Sequence, residues 1–495
     1  MLKNSLFISF LAWLGGAIKE SYIFSLIERF IFFISESYSK SLTKKILTGN
    51  GAIEDKFKDT SVFYKILSFV FRPFYKAAEK ISSLFKESLI FNVFSKSAVV
   101  SFIFSVPFLC CVMFIAPHDS WNNLYGLFLA GLAFVISLLS RPKEKRKLPP
   151  VWLTIILFIG MAAFSVVFSH DVSDSARIFM FFFTALLLCL SVYFYICTKE
   201  RLYTFLKWML VTAVITAVFA VIQSILGIEP DPTLTDMSLN ENMPGRAFST
   251  LGNPNNYAEF LMLFMPFGAA FALSGKGKIT KALSALGVIV CIVALLLTYS
   301  RSGWIAFAVA TVIFVSVYNK RYIPYLVIFA LALIPFLPES ITARILTIGN
   351  LQDTSSAYRL VIWQGTLLML SDYWFTGVGL GNGAFKAVYP KYSLMAATVA
   401  PHSHMQFLEI FAELGILGII IYLSMTFVII KRSFIAGKAK NTLVSSSAIA
   451  AASAMTAFLF IGFFEYCWFY PRVIFAFFIC AGVAMSSFVL SKEEE

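Results

Sequence analysis

Charged residues are scarce in this chain. Only 14% of its 495 residues are Asp, Glu, Lys or Arg, whereas 59% are hydrophobic and the mean hydropathy is +0.80. A soluble globular domain carries about 25% charged residues, so the composition excludes that class. The chain is therefore predicted to be an all-α membrane protein that crosses the bilayer many times.

Patterns that would hold a metal or a set of disulfides are also missing. The seven cysteines lie in apolar segments or at their ends, without the spacing of a zinc site or a disulfide framework. The pair His402 and His404 has no convincing third ligand. We therefore expect no metal and no cofactor. The chain also shows no clear internal repeat, which argues against an inverted-repeat transporter.

Long apolar runs, in contrast, are abundant. A helix needs roughly 20 apolar residues to cross the hydrocarbon core, and we predict about twelve transmembrane helices in a domain covering residues 97–490. Residues 1–96 are basic and amphipathic, which predicts a cytoplasmic or interfacial N-terminal extension; the alternative is a thirteenth span near Leu6–Ile18, which the shortness of that apolar run disfavours. Residues 491–495 form an acidic tail. The predicted spans are 97–116, 121–140, 151–169, 176–197, 205–226, 257–274, 280–299, 303–318, 322–337, 404–430, 444–464 and 470–490.

Lys and Arg concentrate in one set of short loops, such as 141–147 and 431–440. Because basic short loops stay in the cytoplasm, both termini are predicted to be cytoplasmic. The net charge of +13 then reflects the basic cytoplasmic loops, which are attracted to the anionic inner leaflet. No nucleic-acid partner is expected. The outer side carries two long loops, 227–256 and 338–403. The second, between spans nine and ten, is predicted to be a large helical extracytoplasmic loop, since 356–371 has helical apolar spacing.

Ionisable residues gather on this outer side, where their cost in a membrane marks them as functional candidates. Arg246 precedes span six, Arg301 lies between spans seven and eight, and Arg359 lies in the large loop. Guanidinium groups bind diphosphates well because they are planar, permanently charged and able to donate two parallel hydrogen bonds. The three arginines together suit a lipid-linked diphosphate. Taken singly, each could be a snorkelling anchor, a solvated loop residue or half of a surface ion pair.

Two histidines follow Pro401 at the entry of span ten. Proline favours the first position of a helix, which predicts that His402 and His404 lie in the first helical turn. The helix dipole there disfavours imidazolium, so a histidine could accept a proton, or could simply cap the helix or hydrogen-bond in the core. Glu409 and Glu413, one turn apart on a helix face, could orient a histidine, line a cavity or hydrogen-bond inside the bundle.

Five motifs, in order, resemble the O-antigen ligase and O-antigen polymerase superfamily. They are Gly245-Arg246-Ala247 with Gly252-Asn253-Pro254-Asn255, Ser300-Arg301-Ser302-Gly303-Trp304, Tyr358-Arg359 with Trp363, Gly377-Val378-Gly379, and His404 with Leu408 and Glu413-Leu414-Gly415-Ile416-Leu417-Gly418. The resemblance covers about residues 97–490. It departs from the family pattern at Met405, where family members commonly have Asn after the histidine, and in the basic extension 1–96.

The resemblance implies a multi-pass C-type glycosyltransferase in the bacterial cytoplasmic membrane, with an extracytoplasmic active site. Such an enzyme moves a glycan from undecaprenyl diphosphate to a hydroxyl of a glycan, lipid or protein acceptor, with inversion and without a required metal. Carried over to this chain, His404 takes the acceptor proton, and Arg301 and Arg359 stabilise the departing charge. The residues predicted to bind the diphosphate or glycan are Arg246, Asn253, Asn255, His402, Glu413 and Trp363.

Other functions remain open at this stage. Polymerases and ligases share these motifs and differ in the acceptor, which the motifs do not encode. A transporter or flippase of lipid-linked oligosaccharide would also need outward arginines, but it should carry polar residues in the middle of several spans, and 280–299 and 322–337 have almost none. A membrane scaffold without catalysis would not require His404. The leading hypothesis is a membrane glycosyltransferase.

Overall fold

The computed structural model describes Ile103 and residues 105–140, 151–230, 245–346, 354–394 and 397–494. Over these residues the chain is helical and has no strand. Eight of the described helices are long and apolar enough to cross a bilayer. The prediction of an all-α polytopic membrane protein is thus confirmed, while the predicted extension 1–96 lies outside the described residues.

The described part holds fifteen α-helices, numbered here in chain order. They are α1 (Val106–Cys111), α2 (Asn123–Leu139), α3 (Val151–Val167), α4 (Val172–Tyr195), α5 (Lys199–Ile225), α6 (Pro254–Ser274), α7 (Lys278–Leu297), α8 (Arg301–Asn319), α9 (Ile323–Leu333), α10 (Glu339–Leu346), α11 (Thr354–Tyr373), α12 (Gly381–Val388), α13 (Gln406–Ala436), α14 (Thr442–Ile461) and α15 (Pro471–Lys492).

Most predicted spans correspond to one helix each. Helices α2 and α3 are apolar but only 17 residues long. Helices α8 and α9 are separated by the 3₁₀ turn Lys320–Tyr322, and Arg301–Phe336 together form one apolar stretch of 36 residues. The total of twelve spans therefore stays a prediction.

Helices α14 and α15 form the centre of the bundle, and nearly all of α15 is buried. Small residues allow the close approach. A Cβ atom added at Gly482 of α15 would lie 2.9 Å from the Cys189 carbonyl oxygen of α4. Ser447 of α14 and Ser487 of α15 share a hydrogen bond of 2.8 Å. Within a bilayer such packing and interhelical hydrogen bonds hold helices together, so these two helices fix the loops at their ends.

The segment between α9 and α13 is folded over its described part. It contains α10, α11 and α12, and α11 covers the region predicted to be helical. Residues of α11, α12 and the turn after α12 bury a small core of their own, which includes Ile362, Met369, Phe385 and Tyr389. We call α11 and α12, together with the chain that joins them, the loop unit; it packs on α13 through Ala412.

Helix α13 is broken at Gly415, inside the predicted span 404–430. Gly415 has φ 68° and ψ −171°, a backbone region that is essentially restricted to glycine. The break frees backbone groups for the chain before α12. Val378 donates its N–H to the Ala412 carbonyl at 2.8 Å, and Ile416 donates to the Trp374 carbonyl at 2.8 Å. These bonds join the loop unit to the bundle.

The substitution Gly415→Ala is expected to destabilise the fold by about 3 kcal/mol or more. A Cβ atom at this position would lie 2.1 Å from the Phe375 carbonyl oxygen, and the backbone conformation excludes a side chain. The matched control is Gly160→Ala in α3, where an added Cβ has no neighbour within 4 Å and stability should change by at most about 1 kcal/mol. Thermal unfolding of the purified protein compares the two; equal melting temperatures would contradict the prediction.

Candidate active site

Four loops meet at one end of the bundle, which we call the site end. They are residues 245–253, 298–300, 402–405 and 462–470. Backbone hydrogen bonds link them in pairs through the adjoining helix ends: Ala247 donates to the carbonyl of Leu297, the last residue of α7, and Gln406, the first residue of α13, donates to the Gly462 carbonyl, each at 2.8 Å. Segments that are far apart in sequence are therefore held side by side.

Arg246 is a buried cation at this end. Its Nε donates to the Thr298 carbonyl at 2.9 Å, and its Nη2 donates to Asn255 Oδ1 at 2.7 Å. Burial, together with the neighbouring cations Arg344 and Arg301, lowers its pKa to about 10, and Glu465 opposes them. The side chain still carries its proton at neutral pH, so several positive charges share one region.

Glu465 links two elements across the site. Its Oε1 accepts from Arg359 Nη2 of α11 at 3.0 Å and from Ser302 Oγ of α8 at 3.3 Å. Ser302 follows Arg301, which begins α8 behind the capping residue Ser300. A single carboxylate thus holds the loop unit beside the start of α8 and partly offsets the charge of the arginines.

A further arginine enters from α10. Arg344 Nε donates to the Tyr299 carbonyl at 3.4 Å, and Tyr299 shares a hydrogen bond of 3.0 Å with Ser340 of the same helix. Arg344 lies close enough to Arg246 to lower its pKa. The predicted arginines Arg246 and Arg359 therefore both interact with Glu465, and Arg301 and Arg344 lie near Arg246. This excess of positive charge suits an anionic ligand.

The two histidines lie in a turn ahead of α13, because the helix begins at Gln406. The prediction that Pro401 starts this helix was wrong. His404 adopts the left-handed conformation with φ 57°, which costs a residue other than glycine about 1–2 kcal/mol. That reversal of the chain separates Pro401 from the helix. It brings the imidazole of His404 against that of His402, with the ring centroids 4.1 Å apart and the planes tilted by 56°.

The hydrogen bond inside this turn assigns different roles to the two rings. The His404 backbone N–H donates to His402 Nδ1 at 3.1 Å, so the proton of neutral His402 must sit on Nε2. Burial is the main cause that lowers both pKa values, with Arg359 adding to it. The pKa of His402 falls well below its ordinary value, and that of His404 falls to about 4. His404 is thus neutral and able to accept a proton, and His402 has its Nδ1 occupied.

The peptide groups of Ser403 are held from two sides. The Ser403 N–H donates to Glu409 Oε2 at 2.5 Å, and the Ser403 carbonyl accepts from Trp363 Nε1 at 2.9 Å. Trp363 lies in α11, one helical turn after Arg359. The loop unit therefore supplies both Arg359 and a support for the histidine turn.

Three other residues that we predicted to bind substrate have contacts within the protein. Asn253 caps α6, since its side chain accepts from the N–H groups of Asn255 and Asn256. Asn255 accepts from Arg246 and so orients a cation. Glu413 is fully buried, and its Oε1 accepts from the Gly381 N–H at 2.8 Å and from Tyr466 Oη at 3.0 Å. Their direct role toward substrate stays a prediction.

Sequence reasoning missed Glu465 and Arg344. The sequence does contain a signal for Glu465, which is the single acid in the aromatic run Phe463-Phe464-Glu465-Tyr466-Cys467-Trp468 at the end of a predicted span. An ionisable residue at that depth is costly in a membrane, which is the argument that identified the histidines as candidates. Arg344 has a weaker signal, because nothing in its local sequence shows that α10 packs beside Tyr299.

Met405 occupies the N-cap position of α13 without a capping side chain. Its backbone is extended, with φ −142° and ψ 121°, the conformation that Asn adopts when it caps a helix. The substitution Met405→Asn is therefore expected to stabilise the protein by about 1 kcal/mol. A higher melting temperature would be measured by thermal unfolding; Met405→Leu serves as the control that cannot cap, and equal values for the two variants would contradict the prediction.

Comparison with known proteins shows a similarity to one family over part of the chain. Residues 286–423 match the model of the O-antigen ligase family, and no curated protein matches the chain. The matched segment contains Arg301, Arg344, Arg359 and His404, whereas Arg246 and Glu465 lie outside it. Within the described residues, no group of three His, Cys, Asp or Glu side chains is placed to hold a metal ion. Over residues 286–423 this membrane protein is thus similar to the O-antigen ligase family, which bears out the resemblance to the O-antigen ligase and O-antigen polymerase superfamily.

Proposed function

We propose that this protein is an inverting membrane glycosyltransferase that transfers a glycan from undecaprenyl diphosphate to an acceptor hydroxyl. It works at the outer face of the bacterial cytoplasmic membrane as a polysaccharide polymerase or ligase. The observation that carries the proposal is that Arg246, Arg301 and Arg359 gather at the same end of the bundle as neutral His404, which interacts with Arg359 and Glu465. Arg301, Arg359 and His404 also lie in the segment that matches the O-antigen ligase family.

The arginines supply the donor side of the reaction. Departure of the lipid diphosphate concentrates negative charge on its phosphates, and preorganised cations in a site of low dielectric constant stabilise that charge in the transition state. Arg246 is fixed by Asn255 and Thr298, and Arg359 is fixed by Glu465. Because these side chains are held before the donor arrives, little reorganisation is needed during the reaction.

His404 supplies the acceptor side. The acceptor hydroxyl must lose its proton as its oxygen attacks the anomeric carbon, and a base within hydrogen-bond reach accelerates this step by about 10²–10⁴-fold. His404 is neutral and partly exposed, whereas His402 is buried and its Nδ1 is occupied. His404 is therefore the base in this proposal.

The step balances without a further reactant. The bond between the acceptor oxygen and the anomeric carbon forms while the bond from that carbon to the phosphate oxygen breaks. The electron pair of the broken bond leaves with the diphosphate, and the hydroxyl proton passes to His404. Attack opposite to the leaving group inverts the anomeric configuration.

A transfer assay with purified protein tests the proposal. The protein is reconstituted in lipid with EDTA present, an undecaprenyl-diphosphate-linked oligosaccharide is added, and wild type is compared with His404→Ala. A ladder of products that requires His404 would establish a polymerase, and a single transfer to an added acceptor would establish a ligase. If wild type binds donors but turns none of them over, the proposal fails, and transport of the donor across vesicles should be measured instead.

A further inference from the structure

Glu409 lies one turn inside α13, directly beneath the histidine turn. Its side chain has no exposed surface, so it cannot touch a substrate. Its Oε2 accepts the Ser403 N–H at 2.5 Å, and its Oε1 has no hydrogen-bond partner among the described residues. A carboxyl group buried with one unpartnered oxygen is costly, whereas leucine would fill the same space without that cost. The position of this acid therefore calls for a function other than packing.

The contacts around Ser403 show what the acid holds. Glu409 holds the peptide group that enters Ser403, and Trp363 holds the carbonyl of the peptide group that leaves it. The N–H of the latter peptide group belongs to His404 and is bound to His402 Nδ1. Both peptide groups between the histidines are thus held by hydrogen bonds: the first by Glu409, and the second by Trp363 and by His402.

His404 depends on these contacts because its backbone is in an unfavourable conformation. With φ 57°, His404 would relax toward an ordinary conformation if the peptide groups before it were free. Relaxation would turn the imidazole away from its contact with the His402 ring and away from Arg359. A displacement of about 1 Å in a reacting group can lower a rate by about 100-fold.

We propose that Glu409 is a positioning residue that keeps the His404 imidazole aimed at the acceptor hydroxyl by holding the Ser403 N–H. The role requires a hydrogen-bond acceptor at this site and does not require a negative charge. The inference rests on the proposed glycosyltransferase function for its kinetic readout, while its structural part stands on the geometry of the turn alone.

The kinetic test compares Glu409→Gln with Glu409→Leu in the full-length protein reconstituted in lipid. Glutamine keeps an acceptor oxygen, so kcat should stay within about threefold of wild type. Leucine keeps the volume and removes the acceptor, so kcat should fall by about 10–100-fold, with the donor KM nearly unchanged because the arginines are untouched. Equal losses in both variants, or no loss in either, would overturn the proposal.

A second measurement does not depend on turnover. Nitrogen-15 NMR of histidine-labelled protein reports the tautomer of each ring, and wild type should show His402 with its proton on Nε2. In Glu409→Leu the turn should relax and His402 should populate both tautomers, whereas Glu409→Gln should match wild type. An unchanged tautomer in the leucine variant would overturn the proposal. Should wild type show no transfer activity, the proposed function fails and this measurement still decides the role of Glu409.

Trp363→Phe guards against a leucine variant that does not fold. This substitution keeps the aromatic packing and removes only the hydrogen bond to the Ser403 carbonyl. It should lower kcat and mix the tautomers in the same direction as Glu409→Leu. A Trp363→Phe variant with wild-type kcat and a single His402 tautomer would show that the turn needs no external support, and the proposal would be wrong.

Discussion

Replacing His404 with alanine is expected to lower the rate of glycan transfer by about 10²–10⁴-fold. Alanine cannot accept the proton of the acceptor hydroxyl, and the buried ring of His402 cannot replace it because its Nδ1 is occupied. The donor KM should change little, since the arginines proposed to hold the diphosphate belong to other elements. The rate of product formation at saturating donor measures the effect.

The pH dependence of the same reaction gives an independent check on His404. Burial and Arg359 lower its pKa to about 4, and Glu465 opposes them. Only the neutral imidazole can accept a proton, so kcat/KM should stay constant as the pH is lowered and fall only as the pH approaches about 4. A fall in kcat/KM at about pH 6.5, the ordinary histidine pKa, would contradict the assignment of His404 as the base.

His118→Ala is the matched control for His404→Ala. His118 also lies at the site end, where it contacts Arg472, but it takes no part in the histidine turn. This variant should transfer glycan at the wild-type rate. If His404→Ala is folded in the membrane and transfers glycan as fast as His118→Ala, His404 is not the base, and the enzyme proposal loses its main support.

The sequence alone predicted the helices well wherever apolar length decides the structure. The predicted spans 257–274 and 444–464 correspond to α6 and α14 within a few residues at each end. Length and hydropathy suffice there because a bilayer leaves an apolar segment few alternatives to a helix. The convergence of Arg246, Arg301 and Arg359 was also predictable, since alternating spans bring every second loop to the same end.

The details of the site depend on contacts that no local pattern contains. Gly415 breaks α13 because residues 374–379 supply the hydrogen bonds that the helix gives up, and these residues lie far away in sequence. The start of α13 at Gln406 instead of Pro401 follows from the support of Ser403 by Glu409 and Trp363. Local preference for proline at a helix start was outweighed by these tertiary bonds.

Glu465 shows the same limit for the chemistry. It forms an ion pair with Arg359, which lies 106 residues earlier in the chain. An acid among aromatic residues indicates that the carboxylate has a partner, but the local sequence does not identify that partner. Only the packing of the loop unit against the loop 462–470 identifies the partner.

The ion pair leads to the second large effect. Arg359→Ala is expected to lower kcat by about 10²–10³-fold, because one preorganised donor toward the departing diphosphate is lost. Arg359→Lys should recover only part of the rate, since an ammonium group is a point charge without the planar fork of guanidinium. Arg177→Ala is the matched control. Arg177 is exposed, pairs with Asp174 in α4, and should leave the rate unchanged.

A double substitution separates loss of the arginine from exposure of its partner. In Arg359→Ala the Glu465 carboxylate loses the cation that faces it at 3.0 Å, and its charge then repels the phosphates that gather charge in the transition state. Arg359→Ala with Glu465→Gln removes this repulsion, so the double variant should turn over faster than Arg359→Ala alone. Non-additivity of this kind is what residues in one network show. A double variant that is no faster would mean that Glu465 does not act on the diphosphate, and that its bond to Arg359 serves only to hold the loop unit against the bundle.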